Sequence, residues 1–157
     1  MAVPDDPLVG RKKELADVLR LLLDDAVRLV TLTGPAGIGK SRLAAALAVE
    51  VEARGGAALA VVDGDGGKAE VLELLARPGG RVLATGLEPL GLEGEHVYRL
   101  RGLPEAPAIE LYRQRAGPGL AASYDELAAR CRRLGGNPRA IEREAVRLAL
   151  ASIDSTA

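Results

Sequence analysis

The chain has no tryptophan and no phenylalanine, and its aromatic side chains are Tyr98, Tyr112 and Tyr124 alone. A platform that stacks the bases of single-stranded nucleic acid needs more rings than that. The single cysteine, Cys131, cannot close an internal disulfide, and with a single histidine, His96, it excludes the usual zinc ligand sets. No stretch approaches the run of about 18 apolar residues needed to cross a bilayer. Met1 to Pro7 lacks the basic and apolar regions of a signal peptide. Neither sign of charge prevails, since 21 Lys and Arg face 22 Asp and Glu for a net charge of -1. No overall field therefore draws the chain to nucleic acid or anionic lipid. These absences lead us to expect a cytoplasmic protein with neither a membrane nor a nucleic-acid partner.

What is present suffices for a folded core. Leu, Val and Ile make up about 27% of the 157 residues, above the level of about 20% below which chains tend to stay unfolded. From Arg11 the apolar positions Leu15, Val18, Leu19 and Leu22 follow helical spacing. Arg28 to Thr33 is a short β-prone run that ends in a glycine-rich turn, after which Leu43, Leu47 and Val51 restore helical spacing. Ala58 to Val62 reads as a second buried strand, Lys68 to Ala76 as a short helix, Arg81 to Thr85 as a third strand and Val97 to Leu100 as a fourth. Beyond Ala106 the pattern is helical, over about 106–116, 123–134 and 139–151, with Ser123 and Glu126 forming a capping box. Alternating strands and helices predict an α/β fold in three layers, α/β/α, around a mostly parallel short sheet. We place this core at 1–104 and a small C-terminal helical subdomain at 105–157.

Gly34-Pro35-Ala36-Gly37-Ile38-Gly39-Lys40-Ser41 fits the P-loop (Walker A) pattern and sits where that motif must, after a strand and opening a helix. Glycines let the backbone curl so that several N–H groups face phosphate oxygens, and the helix adds its positive N-terminal end. Lys40 is placed to neutralise the β- and γ-phosphates, and Ser41 to offer magnesium a hydroxyl ligand. Arg42 follows in the same helical turn and completes the candidate contact set. Asp63, ending the second strand, is the candidate carboxylate for the magnesium water shell. Hydrolysis needs a further water-positioning group, and the position after Asp63 is Gly64, which leaves Asp65 as the nearby acid. Slow or absent hydrolysis is therefore expected.

Leu8-Val9-Gly10-Arg11, the strand Arg28 to Thr33, the P-loop, the strand Arg81 to Thr85 with the loop after it, and Gly136-Asn137-Pro138 together resemble one family. They are similar to the nucleotide-binding domain of STAND ATPases, signal-transduction relatives of AAA+ and NB-ARC proteins found in large actinobacterial transcriptional regulators. The resemblance implies a P-loop NTPase fold binding ATP or ADP with Mg2+, and a base pocket lined by Val9, Gly10, Arg11 and Pro138. Read without the resemblance, the first three are a helix approach and the last an interhelical turn.

Three departures accompany the likeness. Only 23 positions separate Lys40 from Asp63, so we expect one βα unit that the family usually carries to be absent, which leaves Ala58 to Val62 at a sheet edge with unpaired backbone groups. Thr85-Gly86-Leu87 stands where the family often has Thr-Ser-Arg, so the arginine that would sense the γ-phosphate is missing. The winged-helix segment has no counterpart, and His96 is read as a solvated polar residue. Arg130, Arg132, Arg133, Arg139, Arg143 and Arg147, interrupted by Glu142 and Glu144, are read as a solvated face rather than a DNA reader. Cys131 and Tyr112 are read as packing. The chain is thus expected to be a nucleotide-dependent switch or assembly element with a protein partner or self-association. Two alternatives stay open, an active Mg-dependent ATPase using Asp63 and Asp65, and a degenerate interaction scaffold that pairs through its edge strand.

Overall fold

A computed structural model describes residues 8–56, 59–63 and 67–154. Asp65, the start of the expected second strand at Ala58, and Met1 to Pro7 lie outside the described residues. The element order is α1 (Lys12–Leu22), β1 (Leu29–Thr33), α2 (Lys40–Ala53), β2 (Leu59–Asp63), α3 (Lys68–Ala76), β3 (Arg81–Gly86), β4 (Glu95–Arg99), α4 (Glu105–Ala116), α5 (Tyr124–Arg133) and α6 (Pro138–Asp154). By contact the described residues divide into two units, one from Arg11 to Leu100 and the other made of residues 8–10 with 101–154.

In the first unit the four strands form a parallel sheet in the order β2-β3-β1-β4. All five residues of β1 are buried, as a central strand covered on both faces requires. Leu29, Val82, Ala84 and Val62 pack with Val71 of α3. Strand alternation turns Val30, Leu32 and Leu83, all buried, to the opposite face. There α1 and α2 bring the buried side chains Val18, Leu22, Leu43, Leu47 and Val51. The α/β/α layering expected from the sequence is therefore observed. Strand β2 lies at one edge, with Val61 47% exposed.

Strand β4 begins two residues earlier than periodicity predicts, and Glu95 explains it. No helix joins β3 to β4; the loop between them is held by the Glu95 carboxylate, which accepts from the amides of Leu90 (2.8 Å) and Gly91 (3.0 Å) and from the Thr31 hydroxyl (2.6 Å). Partial burial works against the charged form, but these hydrogen bonds prevail and hold the Glu95 carboxyl below its ordinary pKa.

The second unit packs α4, α5 and α6 around Ile109, Leu111, Tyr112, Leu127, Cys131 and Ile141. Burial pushes the Cys131 thiol pKa up, in keeping with a core residue rather than a nucleophile. Tyr112 is fully buried, but not by apolar packing alone: its hydroxyl donates to Glu144 (3.0 Å) and accepts from Arg130 (3.2 Å). Ser123 caps α5 by accepting from the Glu126 amide at 3.2 Å. No helix among the described residues is long and apolar enough to cross a membrane.

Candidate functional site

Parallel strands bring their C-terminal ends to one side of the sheet, and in α/β folds ligands bind there. Register places Thr33 beside Gly86 and Arg99, and Asp63 beside Thr85. Gly34 continues from β1 and donates its amide to the Gly86 carbonyl (3.3 Å), so the glycine-rich segment emerges from the middle of the sheet. Gly37 (φ 80°) and Gly39 (φ 105°) take backbone angles that L side chains rarely adopt, and this curls residues 34–39 into the first turn of α2.

That first turn has two properties of an anion site. Gly39 stands at the N-cap, so no side chain caps the helix, and no acidic residue occupies the turn. A helix start without a side-chain cap, with the helix dipole behind it, favours a negatively charged group. Ser41 and Arg42 are exposed beside the half-buried Lys40. The Lys40 ammonium folds back onto the loop, donating to the carbonyl oxygens of Gly34 and Pro35.

Asp63 ends β2, exposed, and its Oδ1 accepts from the hydroxyl of Thr85 at 2.8 Å. Thr85 is 2% exposed, so this contact fixes the carboxylate on a rigid strand end. Because β3 intervenes, Asp63 lies two strand spacings from β1, about 10 Å. That span suits contact with a metal through water more than direct ligation beside Ser41. Among the described residues no three His, Cys, Asp or Glu side chains group to hold a metal by themselves. Thr85 was missed as a partner in the sequence, though the signal was there: it ends the strand that the Asp63 strand must adjoin.

The four base-pocket candidates divide between the units. Val9 packs against the helical core and Gly10 lies against Pro107, both in the second unit. Pro138 opens α6 in that unit, in a turn where Gly136 and Leu103 share a backbone hydrogen bond of 2.8 Å. Arg11 belongs to the sheet unit. Its guanidinium is buried and donates through Nη2 to the Ile38 carbonyl at 2.7 Å, with Nη1 3.9 Å from Glu14. Burial lowers the Arg11 pKa, opposed by the Glu14 charge.

A parallel sheet with a glycine loop running from its central strand into a helix defines an α/β fold of the P-loop NTPase kind. In agreement, a STAND protein (signal transduction ATPase with numerous domains) carrying a tetratricopeptide repeat sensor, from Pyrococcus horikoshii, matches 83% of this chain and 28% of its own, with a TM-score of 0.54 at 20% identity. Among curated sequences, an uncharacterized protein of Mycobacterium tuberculosis is 63% identical over 43 residues, 27% of this chain and 10% of the relative. A protein of the same organism named as a candidate HTH-type transcriptional regulator is 32% identical over 178 residues, 77% of this chain and 20% of the relative. The chain thus spans a tenth to a fifth of the length of these relatives. The longer alignment exceeds the portion of this 157-residue chain that it uses, so dozens of positions in the regulator have no counterpart here. No known family profile matches the chain.

Proposed function

We propose that this chain binds ATP or ADP, with Mg2+, at Gly34 to Ser41 and works as a nucleotide-dependent switch or assembly module of the STAND kind, with slow or no hydrolysis. The observation that carries this reading is the start of α2: an uncapped helix N-terminus, reached through a glycine curl from a central strand, with Lys40 beside it. The donor set fits phosphate, since the first turn of α2 carries no side-chain cap and no acidic residue, and Lys40 lies in that turn. When bound, Mg2+ supplies charge neutralisation across the β- and γ-phosphates. Ser41 would hold it by its hydroxyl and Asp63 through water, with Thr85 fixing the Asp63 carboxylate. Lys40 exchanges its bonds to the Gly34 and Pro35 carbonyls for bonds to phosphate oxygens. Slow turnover rests on the sequence, which has Gly64 after Asp63 and no arginine after Thr85. The switch role takes support from the names of the relatives, a signal-transduction ATPase and a transcriptional regulator.

Thermal unfolding with and without millimolar Mg-ATP or Mg-ADP tests the reading. A ligand that binds only the folded state adds about 2.7 kcal/mol of stability at one hundred times its Kd. The expected result is a rise in Tm that Lys40→Ala abolishes. No rise with either nucleotide rejects the reading in favour of an interaction scaffold, for which the edge position of β2 and the exposed Val61 are the relevant features. Phosphate release that is lost in both Lys40→Ala and Asp63→Asn would instead establish an active ATPase.

A further inference from the structure

Among the described residues Arg11 is the one buried arginine, 4% exposed, and burying a guanidinium is costly unless charged partners and hydrogen bonds offset it. Its Nε, also buried, has no partner among the described residues. Its short contact is the 2.7 Å bond from Nη2 to the carbonyl oxygen of Ile38, 27 positions along the chain. Glu14, in the first turn of α1, sits 3.9 Å from Nη1, the other terminal nitrogen, and places a negative charge beside the guanidinium.

The consequence follows from peptide geometry. In a planar trans peptide the C=O and the following N–H point in opposite directions. Drawing the Ile38 carbonyl toward Arg11 therefore aims the Gly39 N–H the other way. Gly39 stands at the N-cap of α2 with φ 105°, and the space beside its Cα is open to 4 Å. Without Arg11 that peptide could turn over, because glycine tolerates both orientations.

We propose that Arg11 is a positioning residue for the phosphate loop: it fixes the Ile38–Gly39 peptide so that the Gly39 N–H faces a bound phosphate. The proposal rests on the nucleotide reading above and gives Arg11 a different task from lining a base pocket. Two probes separate these tasks, Mg-ATP and inorganic tripolyphosphate, which has the phosphates but no base. Titration calorimetry on wild type, Arg11→Ala and Arg11→Lys is expected to show both probes weakened by the same factor. That factor should be roughly ten- to hundredfold for Arg11→Ala, as for a lost charge-assisted hydrogen bond. It should be smaller for Arg11→Lys, which keeps a charged donor group on a shorter reach. In ligand-free protein, amide exchange at Gly37 to Ser41 should rise in Arg11→Lys while exchange in β1 does not, a pattern that general destabilisation would not give.

Loss of ATP affinity with tripolyphosphate unaffected overturns the proposal in favour of a base contact, and unchanged exchange at Gly37 to Ser41 overturns it as well. If Arg11→Ala fails to fold, the Arg11→Lys measurements decide. A wild type that binds neither probe rejects the nucleotide reading, and the phosphate-facing role falls with it. A wild type that binds both, with Arg11→Ala (or Arg11→Lys, where Arg11→Ala does not fold) binding them equally well, rejects the positioning role alone.

Discussion

Each unit of the molecule has a glycine-containing turn that opens a long helix, and the two turns treat their helix's first amides differently. Before α6, Asn137 Oδ1 accepts from the amides of Arg139 (3.1 Å) and Ala140 (3.3 Å), and Pro138 stands at the first helical position, where no donor is needed. The chain satisfies that helix start from its own side chains. Before α2 the cap position is Gly39, which has no side chain to give, and the adjacent cation is spent on loop carbonyls. The self-capped start of α6 is structural; α1, α3 and α4 also begin without a side-chain cap, so what marks α2 is the missing cap together with the glycine curl and Lys40 beside it. Glycine richness alone does not separate the two; the residue at the cap does.

Replacing a glycine in each turn should give the largest difference. At Gly136 (φ 67°) a methyl group would meet the Leu103 carbonyl oxygen at 2.5 Å as well as a strained backbone, so Gly136→Ala should cost about 3 kcal/mol. At Gly39 nothing lies within 4 Å of the added carbon, so Gly39→Ala should cost only backbone strain, about 1–2 kcal/mol. Urea denaturation of both variants checks the ranking, and equal losses would break the distinction between a packed turn and an open one. Next, Asn137→Ala should cost about 1 kcal/mol by removing the cap, while leaving any nucleotide-dependent rise in Tm intact. A variant that lost that rise would place the second turn in the binding site and not merely in the fold.

Much of this was legible beforehand because the signals were local. The glycine spacing of Gly34 to Ser41, the apolar run to Thr33 and the helical stripe after Lys40 fixed β1, the loop and α2 within a residue or two. The short interval from Lys40 to Asp63, taken together with the family resemblance, also anticipated β2 at the sheet edge. Contacts between distant residues were less visible. Arg11 reaches Ile38, Thr85 reaches Asp63, and Thr31 reaches Glu95 across 64 positions, and none of these pairs has a sequence period that announces it. Tyr112 read as apolar packing because spacing reports burial but not where a hydroxyl finds its partner.

A smaller contrast between the units lies in two tyrosines that each donate to a carboxylate. Tyr98 donates to Asp17 at 3.0 Å, and burial together with that carboxylate pushes its pKa up to about 12. Tyr112 donates to Glu144, but Arg130 donates back to it and lies 6.0 Å from its ring centre, so a cation tempers the rise that burial causes. A folded-state pKa above the unfolded value of about 10 means that the folded chain holds its proton longer. The stability tied to the Tyr98 proton is therefore complete below about pH 10 and is lost as pH climbs toward 12. At pH 8, Tyr98→Phe should cost about 1 kcal/mol, one hydrogen bond. Between pH 10 and 12 the gap between wild type and Tyr98→Phe should close, since only the wild type has this proton to lose. Denaturation at pH 8, 10 and 12 measures it, and parallel curves for the two proteins would show that Asp17 does not hold the Tyr98 proton.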